Sequence, residues 1–174
     1  MQNIILGALT VLAMASAVQA QTPAATPVVG LTALEMDAIV KAYPARRSTR
    51  AKSFDADKQI VELYVDQLVS GPQSGAPAVH QGLTELYYIV EGAAIMVTGR
   101  KLIMPEPQTT SSAVVGQIED GVARRVSAGD VVVNTPGTFH QWKTVESSTF
   151  VYIGIHVDPE KKTTAGYVDP VLKK

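Results

Sequence analysis

The chain contains no cysteine. That absence excludes disulfides, thiolate metal sites and a cysteine nucleophile together. It agrees with an oxidising compartment, which permits disulfides but does not require them in a domain of this size. Net charge is also nearly absent, at a formal -1 near neutral pH. No broad electrostatic case therefore exists for nucleic acid or an anionic membrane surface. No internal repeat is visible, and no twin arginine occurs near the start. The one long apolar run, Ile4 to Ala17, falls short of the roughly 20 residues that span a bilayer.

What is present begins with that run. It leads into Val18-Gln19-Ala20, small side chains at the positions a signal peptidase reads, although Met1-Gln2-Asn3 carries no Lys or Arg. Residues 1–20 are expected to be a secretory signal cleaved after Ala20. The expected protein is then periplasmic or secreted, has no stable membrane insertion after processing, and folds outside the cytoplasm. Residues 21–30, rich in Pro, Ala and Thr, are expected to form a linker. Residues 31–51 should supply one short helix and a connector: Thr32 to Glu35 has capping-box spacing, and Leu31, Leu34, Ile39, Val40 and Tyr43 mark an apolar side before Pro44. Arg46, Arg47, Arg50 and Lys52 form a basic cluster without interleaved aromatics, which reads as a solvated connector rather than a polyanion site.

From Gln59 the pattern is β. Ile60 to Leu68 places apolar residues on both faces, as a strand covered on both sides would. Gly71-Pro72 and Gly75 with Pro77 mark a loop. Further strands are expected at Glu85 to Val90, Ala93 to Val97, Val114 to Ile118, Val122 to Val126, Val131 to Asn134 and Thr149 to Val157. Met104 to Ser112, broken by Pro105 and Pro107, reads as a long surface loop. Many short strands and one helix predict an all-β antiparallel barrel or jelly roll over residues 52–174.

Two stretches carry the chemistry. In Ala76 to Gly92, Ala78 to His80 should close one strand, Gln81 to Thr84 should turn, and Glu85 should open the next. An imidazole and a carboxylate flanking one tight turn can converge on a single point, as two ligands of a divalent metal must. In Gly129 to Trp142, a Gly-Asp entry, a Val run and a Thr-Pro-Gly turn lead to His140. His80, Glu85 and His140 make two imidazoles and one carboxylate, the composition of the facial triad of non-haem Fe(II), which also suits Mn, Zn or Ni.

Together the stretches resemble the paired motifs of the cupin superfamily over residues 52 to 157. His80, Glu85 and Gly92 match the second histidine, the glutamate and the closing glycine of the first motif. Gly129, Gly137 and His140 match the second motif. Ala78 stands where the family has its first histidine, Thr135 where it has proline and Thr144 where it has asparagine. The resemblance implies a jelly-roll barrel with a divalent metal (Fe, Mn, Zn or Ni) on His80, Glu85 and His140. It also implies oxygenase, isomerase or lyase chemistry on a small organic molecule, a cavity lined by Ala78, Tyr87, Ile89 and Trp142, and a homodimer as the common assembly. The alternatives are a non-catalytic binding module for a small ligand or sugar, or a structural role through exposed sheet faces. His156, in phase with Tyr152 and Gly154, is expected at the rim or in the core, the alternative being that it substitutes for the imidazole missing at Ala78.

Overall fold

The computed structural model describes residues 30–73, 75–104 and 116–173. The expected signal, nearly all of the linker, and most of the Met104 to Ser112 loop lie outside the described residues.

The helix α1, Ala33–Ala42, starts as its sequence demands. Thr32 caps it, accepting from the Glu35 amide while the Glu35 side chain returns to the Thr32 amide, so both halves of the capping box are made. Its apolar side lands on the barrel, where Ile39 packs with Ala51 and Val65. Thr32→Ala should lower the unfolding free energy by about 1 kcal/mol, read from urea titration. Leu34, 80% exposed, is the control: a Thr32 loss no larger than that of Leu34→Ala would refute the cap's role.

Among the described residues nine strands follow in chain order: β1 (Arg50–Asp55), β2 (Ile60–Pro72), β3 (Thr84–Glu91), β4 (Ala93–Gly99), β5 (Leu102–Ile103), β6 (Gln117–Ile118), β7 (Val122–Ser127), β8 (Val131–Asn134) and β9 (Phe139–Asp158). All their pairings are antiparallel, and the main sheet runs β1-β2-β9-β3-β8. Strand β9 joins two layers. Its second half lies between β2 and β3, while its first half pairs with β4, which pairs in turn with β7. The jelly roll is therefore organised around one long strand. Its interior packs Leu68, Ile89, Met96, Trp142, Val145 and Phe150 into a single core.

Several expectations need correction. The connector ends earlier than residue 51, because Arg50 already opens β1, with Ala51 and Ser53 turned inward. Its basic residues are committed rather than merely solvated: Arg50 meets Glu62 at 2.6 Å and Lys52 meets Glu35 at 2.7 Å. Strand β2 continues past Leu68 through a bulge at Val69/Gly71, where Gly71 takes φ 107°. Ala78 to His80 is not a strand but a single bridge, Ala78 and His140 exchanging both backbone bonds at 2.9 Å. The last strand begins at Phe139 rather than Thr149, so His140 and Trp142 sit inside it.

Gly92, the closing glycine of the first motif, turns β3 into β4 at φ 81°. A methyl there would stand 2.2 Å from the Thr149 carbonyl, so the turn requires glycine.

Candidate functional site

Strand period sets who faces inward. From β3 come Glu85 and Tyr87; from β9 come His140, Trp142, Tyr152, Gly154 and His156; from β2 come Tyr64 and Asp66. With Arg47, Ser48, Ala76, Ala78, His80 and Gln141 these residues enclose a cavity of about 350 Å³. The inner end is aromatic, with Tyr87, Trp142 and Tyr152 all buried, while Ser48, Ala76 and Ala78 are exposed.

The centre of the site is the Glu85 carboxylate. His140 Nε2 lies 2.9 Å from its Oε2, His156 Nε2 lies 2.8 Å from Oε1, and His80 Nε2 is 3.8 Å from Oε1. One ligand atom each from His80, Glu85 and His156 falls within 4.8 Å of the others, a group that could hold a metal ion. The Asn134 amide adds a weak contact to Oε2 at 3.5 Å. Burial opposes ionisation of Glu85, but the imidazoles of His140 and His156 beside it prevail and hold the carboxyl well below its usual range. Burial lowers His80, which keeps its imidazole neutral at neutral pH, against a smaller opposing pull from Glu85.

The chemistry of His140 tests the fit to a metal. Its Nδ1 lies 3.2 Å from the Thr138 carbonyl, which can only accept, so Nδ1 carries a proton. In the neutral ring Nε2 is then a bare lone pair, facing the Glu85 carboxylate and lying 3.3 Å from the Tyr87 hydroxyl. A lone pair against a carboxylate is tolerable only with a proton or a cation between them. A carbonyl bond that fixes the tautomer is also how ligating histidines are oriented. Three imidazoles and one carboxylate suit a borderline divalent ion.

The structure thus brings His80, Glu85 and His140 together, and places Ala78, Tyr87 and Trp142 on the cavity wall. Ile89 is the exception. It shares the face of Glu85 and Tyr87 but is fully buried in the core and does not line the cavity, because it lies farther along β3 than the aromatic end. His156 takes the position weighed as the alternative, beside His80 and Glu85, rather than one at the rim or in the core. It sits directly opposite Glu85 in the β3–β9 register and also opposite Glu62 in β2–β9. Sequence reasoning missed Glu62 and Asp66, both buried, and gave no site role to Tyr64. Their signal was available: Glu62, Tyr64 and Asp66 alternate along β2 on the same face as Leu68. Glu62 holds Arg50, accepts from the Tyr64 hydroxyl at 3.4 Å and lies 3.9 Å from His156 Nδ1. Burial pushes the Tyr64 hydroxyl up to about 12 and raises Asp66 as well.

No protein-family model and no curated protein sequence matches the chain. Among solved structures, BH2720 from Bacillus halodurans is similar over 82% of this chain and 89% of that one, with TM-score 0.51 at 13% identity. A cupin protein from Bacteroides fragilis aligns over 71% of this chain and 93% of its own, at TM-score 0.41 and 15% identity. KdgF from Halomonas sp. aligns over 70% and 91%, at TM-score 0.42 and 18% identity. The antiparallel double layer around β9 and the likeness to BH2720 show that this chain has an all-β jelly-roll fold.

Proposed function

We propose that the protein is an exported, metal-dependent cupin enzyme that acts on a small organic molecule. In this reading His80, Glu85, His140 and His156 hold one divalent ion. The observation that carries the reading is the convergence of three imidazoles on one buried carboxylate at the wall of an open cavity. His156 supplies, from the last strand, the imidazole that the motif lacks at Ala78.

Held by His80, Glu85, His140 and His156, a divalent ion would supply a Lewis acid beside the cavity. The surrounding residues orient what enters. Burial raises Tyr87, so its hydroxyl stays protonated and remains a donor beside His140. The buried rings of Trp142 and Tyr152 exclude water from the inner end. The export reading rests on the apolar run before Ala20.

One purification tests both parts. Elemental analysis should find about one divalent ion per chain, and His156→Ala should lose it as His140→Ala does. Intact mass should place the first residue at or near Gln21. A metal-free parent, or a His156→Ala variant as well loaded as the parent, would overturn the ligand set. A soluble cytoplasmic chain beginning at Met1 would overturn export.

A further inference from the structure

We propose that the cavity selects small carboxylates with a flat apolar body, Arg47 gripping the carboxylate while Tyr87, Trp142 and Tyr152 receive the body. This rests on the reading of the cavity as a ligand site, and it names the class of molecule that enters.

Arg47 is the one cationic side chain of Lys or Arg type on the cavity wall among the described residues. Its guanidinium donates to Gln73 Oε1 at 2.6 Å, and among the described residues no carboxylate stands within ion-pair distance of it. The two acids that share the cavity are already engaged. Asp66 accepts from the Thr49 amide at 3.0 Å, and Glu85 is held by the histidines. A guanidinium carries five N–H donors in a fixed fork that matches a carboxylate in two parallel bonds. With one donor directed to Gln73, the others remain for a ligand.

The backbone is built to present this side chain. Residues 45–49 are tied along β2 by Ala45 to Gln67 Oε1, Gln67 to the Arg46 carbonyl, and Val65 to the Thr49 carbonyl, each within 3.0 Å. Ala45 and Ser48 adopt φ 56° and 55° on either side of Arg47. Left-handed conformations are unfavourable for these residues and persist where the surroundings enforce them, often at ligand sites. The bland account makes Arg47 a brace for the Gln73 segment. A brace confers no preference for charge on the ligand.

Calorimetric titration of the purified protein with benzoate, salicylate and phenylpyruvate, each against its neutral amide, separates the two. The titration is run on metal-loaded and on chelator-stripped protein, so that coordination by an ion is not mistaken for Arg47. The carboxylates should bind about tenfold more tightly than the amides in both forms, the scale of a charge-assisted bond. Arg47→Gln should bring that ratio close to one without changing metal content. Arg47→Lys, which keeps the charge, should retain part of the preference. Equal binding of acid and amide by the parent, no saturable binding of any acid, or an Arg47→Gln variant with the parent's preference would overturn the proposal. A parent that takes no metal but shows the Arg47-dependent preference leaves it standing and removes the metal reading. A fully loaded parent without the preference does the reverse.

Discussion

Glu85→Gln should weaken divalent metal binding by about a hundredfold or more, beyond the 10–100-fold typical for a residue that only orients a ligand. The substitution keeps shape and removes charge. Glu85 is the carboxylate on which the three imidazoles converge, and it is 4% exposed; Glu62, 3.9 Å from His156 Nδ1, is already held by Arg50. The metal-free protein should respond too, in a pH-dependent way. The folded carboxyl titrates below its ordinary 4.5 because His140 and His156 outweigh the burial that opposes ionisation. A depressed acid stabilises the fold above its unfolded value, and that contribution is lost as pH falls through the folded one. Stripped parent protein should therefore lose urea resistance as pH drops below about 4.5, and Glu85→Gln should lack this share of the loss. Equilibrium dialysis against zinc or manganese, with urea midpoints across pH, reads both effects. Undiminished metal affinity in Glu85→Gln would place the ion elsewhere.

Phe150→Ala should cost about 3–5 kcal/mol of folding free energy, the usual range for emptying a large aromatic site in a packed core. Phe150 is fully buried, with its ring centroid 4.8 Å from Trp142 and 5.6 Å from Tyr152. It lies on β9 opposite Leu68 of β2, so the void opens behind the aromatic end of the cavity and ligand binding should fall together with stability. Tyr88, which is 45% exposed on β3, provides the contrast: Tyr88→Ala should stay within about 0.5 kcal/mol. Urea unfolding at constant metal content decides it. A Phe150→Ala loss similar to that of Tyr88→Ala would mean that the core does not depend on this ring.

Much of the fold was legible along the chain because its causes are local. The Thr32/Glu35 capping box, Gly92 at a turn no other residue fits, and the apolar residues on both faces of Ile60 to Leu68 each act over a few neighbours. The pairing of His80 with Glu85 was legible for the same reason, since one turn separates them. His140 required the motif resemblance, because nothing local links residues 85 and 140.

The rest depended on register. Whether His156 faces the site or the rim is set by which residue of β3 it meets across the ladder, and one residue of slip would reverse it. Only the pairing of Glu85 with His156 decided that. Glu62, Tyr64 and Asp66 alternate visibly, but alternation does not say which face of β2 is the barrel interior until α1 packs on Val65 and leaves Tyr64 and Asp66 to the cavity. Arg47 lay in what read as a solvated connector, and its place on the cavity wall follows from the bonds that tie residues 45–49 to β2. The sequence by itself determined the strand-rich fold, the two motif turns and three of the four converging side chains. The tertiary structure decided the fourth ligand candidate and the charge at the cavity wall, because long-range strand pairing, which no local pattern encodes, brings those residues there.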